Sequence, residues 1–349
     1  MNGINSILNS LGARFGFFAL ASLLCLLIMI SSLAIGRFDV SLGTAVSILI
    51  DNLIPIQGVS WGLAEERVVE LVRLPRILVA GIAGAGLGVA GAALQSLFRN
   101  PLVAPDILGI APGAGFGGAL AIMFVATSWA TVLSSFVFGL IAIVLVMSVA
   151  RFTTRSSTLT LVLAGVVIGA FFSALISLLT YIADVESELP AILYWLLGSF
   201  ATANYAKVAL LLFTVLPASV VIVGLSFRLN VMSLGESEAA ALGLDVSRVR
   251  WSVLLAVTVI VAGAVAVAGV IGWVGLVVPH LARLFVGPSN RVLVPASALT
   301  GMAFLILVDT LCRSLTAAEI PLSVITALIG APIFILLLRR AGGLGWSHD

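Results

Sequence analysis

The chain has 349 residues, 61% hydrophobic and 9% charged, with a mean hydropathy of +1.27 and a formal net charge of +2. Soluble domains run near ~25% charged and disordered chains are more polar still, which excludes both classes. At about 20 residues per crossing, the length allows roughly eight to eleven membrane-spanning helices joined by short loops.

The 17 basic residues are scattered, with Lys207 the single lysine, so no block of the nucleic-acid-binding kind is present. Cys25 and Cys312 lie far apart in apolar runs and read as packing residues rather than a metal or disulfide framework.

Uncharged runs mark the expected spans in chain order. Residues 15–36 form the first, between Arg14 and Arg37. This run is longer than the core of a signal peptide (about 7–15 residues), so it reads as a retained span. Residues 37–70 carry Asp39, Asp51, Pro55, Glu65 and Glu66 and are expected to lie along one surface. The second span is 77–98. The next stretch, Asn100-Pro101-Leu102-Val103-Ala104-Pro105-Asp106, holds two prolines that forbid an unbroken helix. Residues 107–150 supply two helices turning near Thr127-Ser128-Trp129. Residues 156–183 form a fifth span, closed by the acidic loop 184–188. Tyr194-Trp195 beyond it suits an interfacial helix. Spans at 208–227 and 251–272, a short element at 273–286 interrupted by Pro279, and spans at 292–308 and 320–338 bring the total to ten.

With the N-terminus inside, eleven arginines fall in inner loops, against six basic and about nine acidic residues outside. This agrees with the positive-inside rule and places both termini in the cytoplasm. Glycines recur at four-residue spacing, as in Gly84 with Gly88 and Gly165 with Gly169, a pattern that lets helix backbones approach closely in lipid.

Several chemistries are excluded. A phosphate-binding loop needs lysine before Ser or Thr, and Lys207 precedes Val208. His280 and His348 are the only histidines, too few and too far apart for an H-E-x-x-H zinc site; His280 is expected to make a structural hydrogen bond. No carboxylate is expected near the middle of a span, which disfavours ion-coupled transport. Asp309 lies toward the outer end of its span, four residues before Arg313, the spacing of a local ion pair. A membrane component driven by another protein remains, with an ion-coupled carrier or a channel-like subunit as rivals.

Two surfaces stand out. In the inner loop 228–250, Ser233 with Glu236 has capping-box spacing, and Gly243 suits a helix stop. Asp245 can open a second short helix ending in Arg248 and Arg250, so the loop reads as a knob for another protein or as a plain solvated loop. On the outer side, Arg73-Leu74-Pro75-Arg76 and Arg313 place cations where positive charge is disfavoured. They are either snorkelling anchors or sockets for carboxylates of an incoming protein.

Arg73-Leu74-Pro75-Arg76, Gly91-Ala92-Ala93-Leu94-Gln95, Arg99-Asn100-Pro101-Leu102 and Leu108-Gly109 resemble the permease subunits of binding-protein-dependent ABC importers, in the family that takes up iron-siderophores, haem and cobalamin. Gly272-Trp273-Val274-Gly275-Leu276-Val277-Val278-Pro279-His280 with Arg283 is similar to a second signature of that family. Glu319-Ile320-Pro321 through Gly330-Ala331-Pro332-Ile333-Phe334 is similar to a third. Trp273 and Ser323 depart from the usual Phe and Gly.

The resemblance implies an all-α, cobalamin-importer permease-like fold of about ten transmembrane helices, one domain over 1–349, in the bacterial inner membrane. Its implied partners are a second, identical permease, two ATP-binding subunits and a periplasmic binding protein. ATP and Mg would be used by the partner ATPase, with no cofactor or metal on this chain. Glu236, Ser237, Glu238, Ala239, Ala240, Leu242 and Gly243 match the ATPase-coupling segment. Arg73, Arg76 and Arg313 match positions that receive the binding protein. Ser173, Ser177 and Tyr181 are the expected pathway-lining residues. The cargo expected is an iron chelate, with haem, cobalamin or a molybdate-type oxyanion as alternatives.

Overall fold

A computed structural model describes residues 11–52, 54–55, 60–151 and 158–342; His348 and the first two residues of the span expected at 156–183 lie outside them. Regular structure among the described residues is helical throughout, because a chain in hydrocarbon must satisfy its own backbone and an isolated helix does so. The helices are α1 Leu11–Ala34, α2 Leu42–Asp51, α3 Leu63–Leu97, α4 Ile110–Phe124, α5 Ser128–Arg151, α6 Thr158–Ile182 and α7 Glu188–Leu196. Then follow α8 Tyr205–Met232, α9 Glu236–Ala241, α10 Val246–Ala268, α11 Val274–Val286, α12 Asn290–Ser314 and α13 Leu322–Gly342.

Seven of these are long and apolar enough to cross a membrane: α1, α3, α5, α6, α8, α10 and α12. The shorter apolar helices α4, α11 and α13 occupy the other three expected positions. The break between α4 and α5 falls at residues 125–127, where the sequence places it. Residues 37–70 do not form a separate surface layer throughout. Helix α2 starts on an N-cap bond from the Thr44 amide to Ser41 Oγ and buries Ala45 and Ile48, whereas residues from Leu63 onward already belong to α3. Within α3 a π-helical stretch, Val68–Arg73, ends two residues before Pro75, which has no N–H to give the preceding turn.

Helices α3 and α10 are the centre of the bundle, with 83% and 78% of their apolar windows buried, against 17% for α1. The glycine pattern explains α3. A Cβ on Gly84 would lie 2.2 Å from the Gly301 carbonyl oxygen of α12, one on Gly88 2.3 Å from that of Ser297, and one on Gly91 1.9 Å from that of Gly275 in α11. These three positions therefore admit no side chain, and α3 meets α11 and α12 backbone to backbone.

The turn after α3 re-enters the bundle. The His280 ring nitrogen Nε2 lies 2.8 Å from the Pro101 carbonyl oxygen, which is the structural hydrogen bond expected of it. Gln95 donates to the Leu276 carbonyl and accepts from Arg283, tying the end of α3 to α11. Pro105 packs against Gly275 in the first turn of α11, and a 3-10 turn, Pro105–Leu108, leads into α4 through Gly109 at φ +72°. Gly109 lies against Gly165 and Gly169 of α6. Asp106 borders the same crevice as Leu87, which is about 15 Å from the inner end of α3 and about 20 Å from the start of its α-helical part at Leu74. Asp106 therefore sits near mid-depth, on a turn between helices rather than within a span. The sequence shows only a proline-rich turn; the packing draws that turn inward.

Alanine at Gly84 or Gly91 should lower stability by about 1–3 kcal/mol, the usual cost of forcing atoms into a filled contact. Gly224 has open space around it, so Gly224→Ala should leave Tm of the purified chain unchanged. Equal Tm values for all three variants would refute the backbone contact.

Candidate functional site

At the outer end, so named from the arginine asymmetry, five charged residues from α3, α12 and the loop before α13 converge. Arg76 meets Asp309 through Nε at 2.9 and 3.0 Å and through one terminal nitrogen at 2.8 Å. Its two terminal nitrogens also bind the two oxygens of Glu319, each at 2.9 Å. One guanidinium thus holds two carboxylates in the planar, forked geometry that lysine cannot supply. Arg313 stands 3.7 Å from Asp309, so the expected i,i+4 pair exists but is the looser contact.

The other two arginines act on α1. Arg313 donates to the carbonyls of Ser32 and Ile35 and to Ser32 Oγ at 2.8 Å. Arg73 donates to the carbonyls of Leu33, Ala34 and Phe38. The last carbonyls of a helix have no partner within it, and its C-terminus carries partial negative charge. Two guanidinium groups there satisfy both needs, and Ser32 Oγ meets Thr310 Oγ1 at 2.8 Å beside them.

Arg73, Arg76 and Arg313, the positions expected to receive an incoming protein, are engaged within this chain. They are only 4%, 6% and 7% exposed and are bonded within the chain. Their position on the outer side has an internal reason: they clamp α1, α3, α12 and the entry to α13 together. Lys207 is likewise buried, donating to Thr202 Oγ1 at 2.6 Å. Of the six outer cations, Arg37 and Arg67 are exposed.

At the inner end, α9 projects between α8 and α10. The cap is Gly235 at φ +141°, not Ser233, whose hydroxyl turns back to the Asn230 carbonyl. Gly243 ends the helix at φ +81°, as expected. Asp245 caps the following helix through the Arg248 amide at 2.9 Å, but that helix is not short: it is α10 itself, carrying Arg248 and Arg250 in its first turns. Glu236 pairs with the buried Arg250, which fixes α9 to α10. Ala239 faces inward, while Ser237, Glu238, Ala240 and Gly243 are exposed and Leu242 is 67% exposed. The result is a rigidly anchored knob with an apolar tip.

Ser173, Ser177 and Tyr181 fall on one outward stripe of α6, all exposed. Ser177 donates to the Ser173 carbonyl at 3.1 Å, and none of the three meets the arginine cluster or α9. Sequence reasoning missed the Arg76–Asp309–Glu319 group, in which Arg76 lies more than two hundred residues from both carboxylates, and Asp106, whose neighbouring prolines were its one visible signal.

Removing Asp309 takes a carboxylate from two buried arginines, so Asp309→Asn should cost about 3–5 kcal/mol. Glu319 is partly exposed, and Glu319→Gln should cost less. Burial acts to raise the Glu319 carboxyl, but the Arg76 hydrogen bonds and charge outweigh it and hold it below its ordinary 4.5. A lowered folded value stabilises above 4.5 and is lost as pH falls through it. Melting curves against pH should show that acid loss in the parent and a weakened one in Glu319→Gln; the reverse order of stabilities would refute the assignment.

The chain matches the FecCD transport family over residues 23–340. It is 43% identical to the molybdate import system permease MolB of Haemophilus influenzae, over 92% of this chain and 95% of that one. It is 39% identical to the vitamin B12 import permease BtuC of Vibrio cholerae, over 83% and 86% of the two chains. A solved metal-chelate type ABC transporter in an inward-facing conformation superposes with a TM-score of 0.82 at 40% identity, covering 94% of this chain and 98% of that one. A shared arrangement over nearly the whole length, with all its signatures in order, leaves one conclusion: the chain belongs to the FecCD family of ABC importer permeases.

Proposed function

We propose that this permease carries an iron chelate across the bacterial inner membrane, in an assembly of two identical copies, two ATP-binding subunits and a periplasmic binding protein. The observation that carries the reading is α9, a knob braced by the Glu236–Arg250 pair at the base of a central helix. A force applied to α9 by an ATPase subunit passes directly to α10, which lies at the centre of the bundle. Because α10 packs against α3, movement of one carries the other, and the outer clasp at Arg76 lies at the far end of α3. This linkage suits rocking of rigid helix groups between outward-open and inward-open states. The chain itself supplies the path and not the nucleotide chemistry.

The metal-chelate type of the superposed transporter and a relative from Helicobacter pylori, 37% identical and named for iron chelatin transport, support the chelate. The name of the 43% identical relative favours molybdate as a second reading.

Leu242→Asp places a charge on the apolar tip of α9 without touching its anchor. Uptake into vesicles holding the whole assembly should fall at least tenfold, and the ATP-binding subunits should co-purify poorly, with the chain's Tm unchanged. Full uptake by Leu242→Asp would refute the coupling role. The chain reconstituted without ATP-binding subunits should accumulate no ferric chelate against a gradient, and uphill accumulation would refute the reading as a whole.

A further inference from the structure

The inner ends of α8 and α12 are held side by side. Asn230, in the last turn of α8, accepts from the Asn290 amide at 2.8 Å, and the Asn290 side chain, in the first turn of α12, accepts from Ser96 Oγ of α3 at 2.6 Å. Asn290 is buried, so these bonds fix both helix ends to the bundle. Beside them Arg228 of α8 and Arg291 of α12 are exposed. Neither has a hydrogen bond or ion pair with a described residue, unlike Arg248 and Arg250 of α10, which pair with Asp245 and Glu236. The Arg291 guanidinium lies instead over the Phe227 ring, 4.6 Å from its centroid, and Phe227 is itself exposed.

Helix α8 is at the rim of the bundle, with 33% of its apolar window buried. Leu216, Val220, Val223 and Phe227 follow one another on one face at helical spacing, all exposed. Gly224 is exposed among them, with open space where a Cβ would stand. Val220, Val221, Phe227 and Arg228 are its neighbours three and four residues away, so the helix carries a dent whose inner lip is Phe227 and Arg228. Two cations without a counter-charge thus sit at the end of a dented apolar face, the complement of an amphiphile with an anionic head.

We propose that this surface binds an anionic phospholipid of the cytoplasmic leaflet, with its phosphate at Arg228 and Arg291 and an acyl chain in the dent at Gly224. The arginine fork matches phosphate oxygens, and basic sites between helix ends on the cytoplasmic side attract anionic headgroups. The contact with Phe227 holds Arg291 against the apolar face, and the Asn230–Asn290 bond keeps the helix ends that carry the two arginines together. A zwitterionic headgroup adds an ammonium that two guanidinium groups repel. The lipid would join α8 and α12 from outside, as the asparagine pair does from within.

The purified chain, stripped of lipid in a neutral detergent, is titrated with dioleoyl phosphatidylglycerol or dioleoyl phosphatidylcholine, and bound lipid is counted by native mass spectrometry. One phosphatidylglycerol should bind per chain at concentrations where phosphatidylcholine does not. Arg228→Gln with Arg291→Gln should weaken it at least about tenfold. Gly224→Leu, which fills the dent and leaves both charges, should weaken it too, and Arg248→Gln should not. Equal binding of the two lipids, or a double variant that binds like the parent, overturns the site. Competition by glycerol phosphate at the lipid's own concentration overturns the acyl seat. A double variant that keeps its lipid but no longer co-purifies with the ATP-binding subunits makes the surface a protein contact, and the proposal falls. None of these readouts involves cargo or uptake, so the importer reading is tested separately.

Discussion

The structure depends on backbone contact along α3. Three glycines on that helix leave no room for a Cβ against α11 and α12. In lipid the apolar effect does not drive helices together, so close van der Waals approach supplies much of the cohesion, and small residues make it possible. That contact sets the positions of both ends of α3. Its outer end delivers Arg73 and Arg76 to α1 and α12, and its inner end is fastened to α11 through Gln95. The re-entrant turn, with Asp106 on it, is carried inward by the same seating, through Pro105 on Gly275.

The outer charges show how a greasy bundle uses the few ionic groups it has. Three arginines and two carboxylates occupy a buried cluster, and each arginine is matched either to a carboxylate or to the open carbonyls of a helix end. Taking one partner away from such a cluster is far more damaging than never having built it, because the remaining charge is left without water or counter-ion. The cluster fixes α1, a helix with little other buried surface, to the centre of the molecule. The inner end is organised in the opposite way. There α9 is short, largely exposed, and held by the Glu236–Arg250 pair and the inward-facing Ala239.

The sequence by itself determined the membrane class, the ten helical positions and the family, because uncharged runs, glycine spacing and the signature motifs are local properties of the chain. It also located the knob at Glu236–Ala241, since helix-forming residues between two glycines are readable in one dimension. Tertiary structure alone decided which groups of this chain the outer arginines bind. Arg76 and Asp309 are far apart in the chain, and from spacing alone Asp309 pairs with Arg313, its neighbour on the same helix. It decided as well that the proline turn after α3 folds inward: prolines forbid a continuous helix but do not say how deep the interruption lies. Depth comes from the glycine contacts that seat α3 against α11, and those contacts make Asp106 a mid-membrane carboxylate.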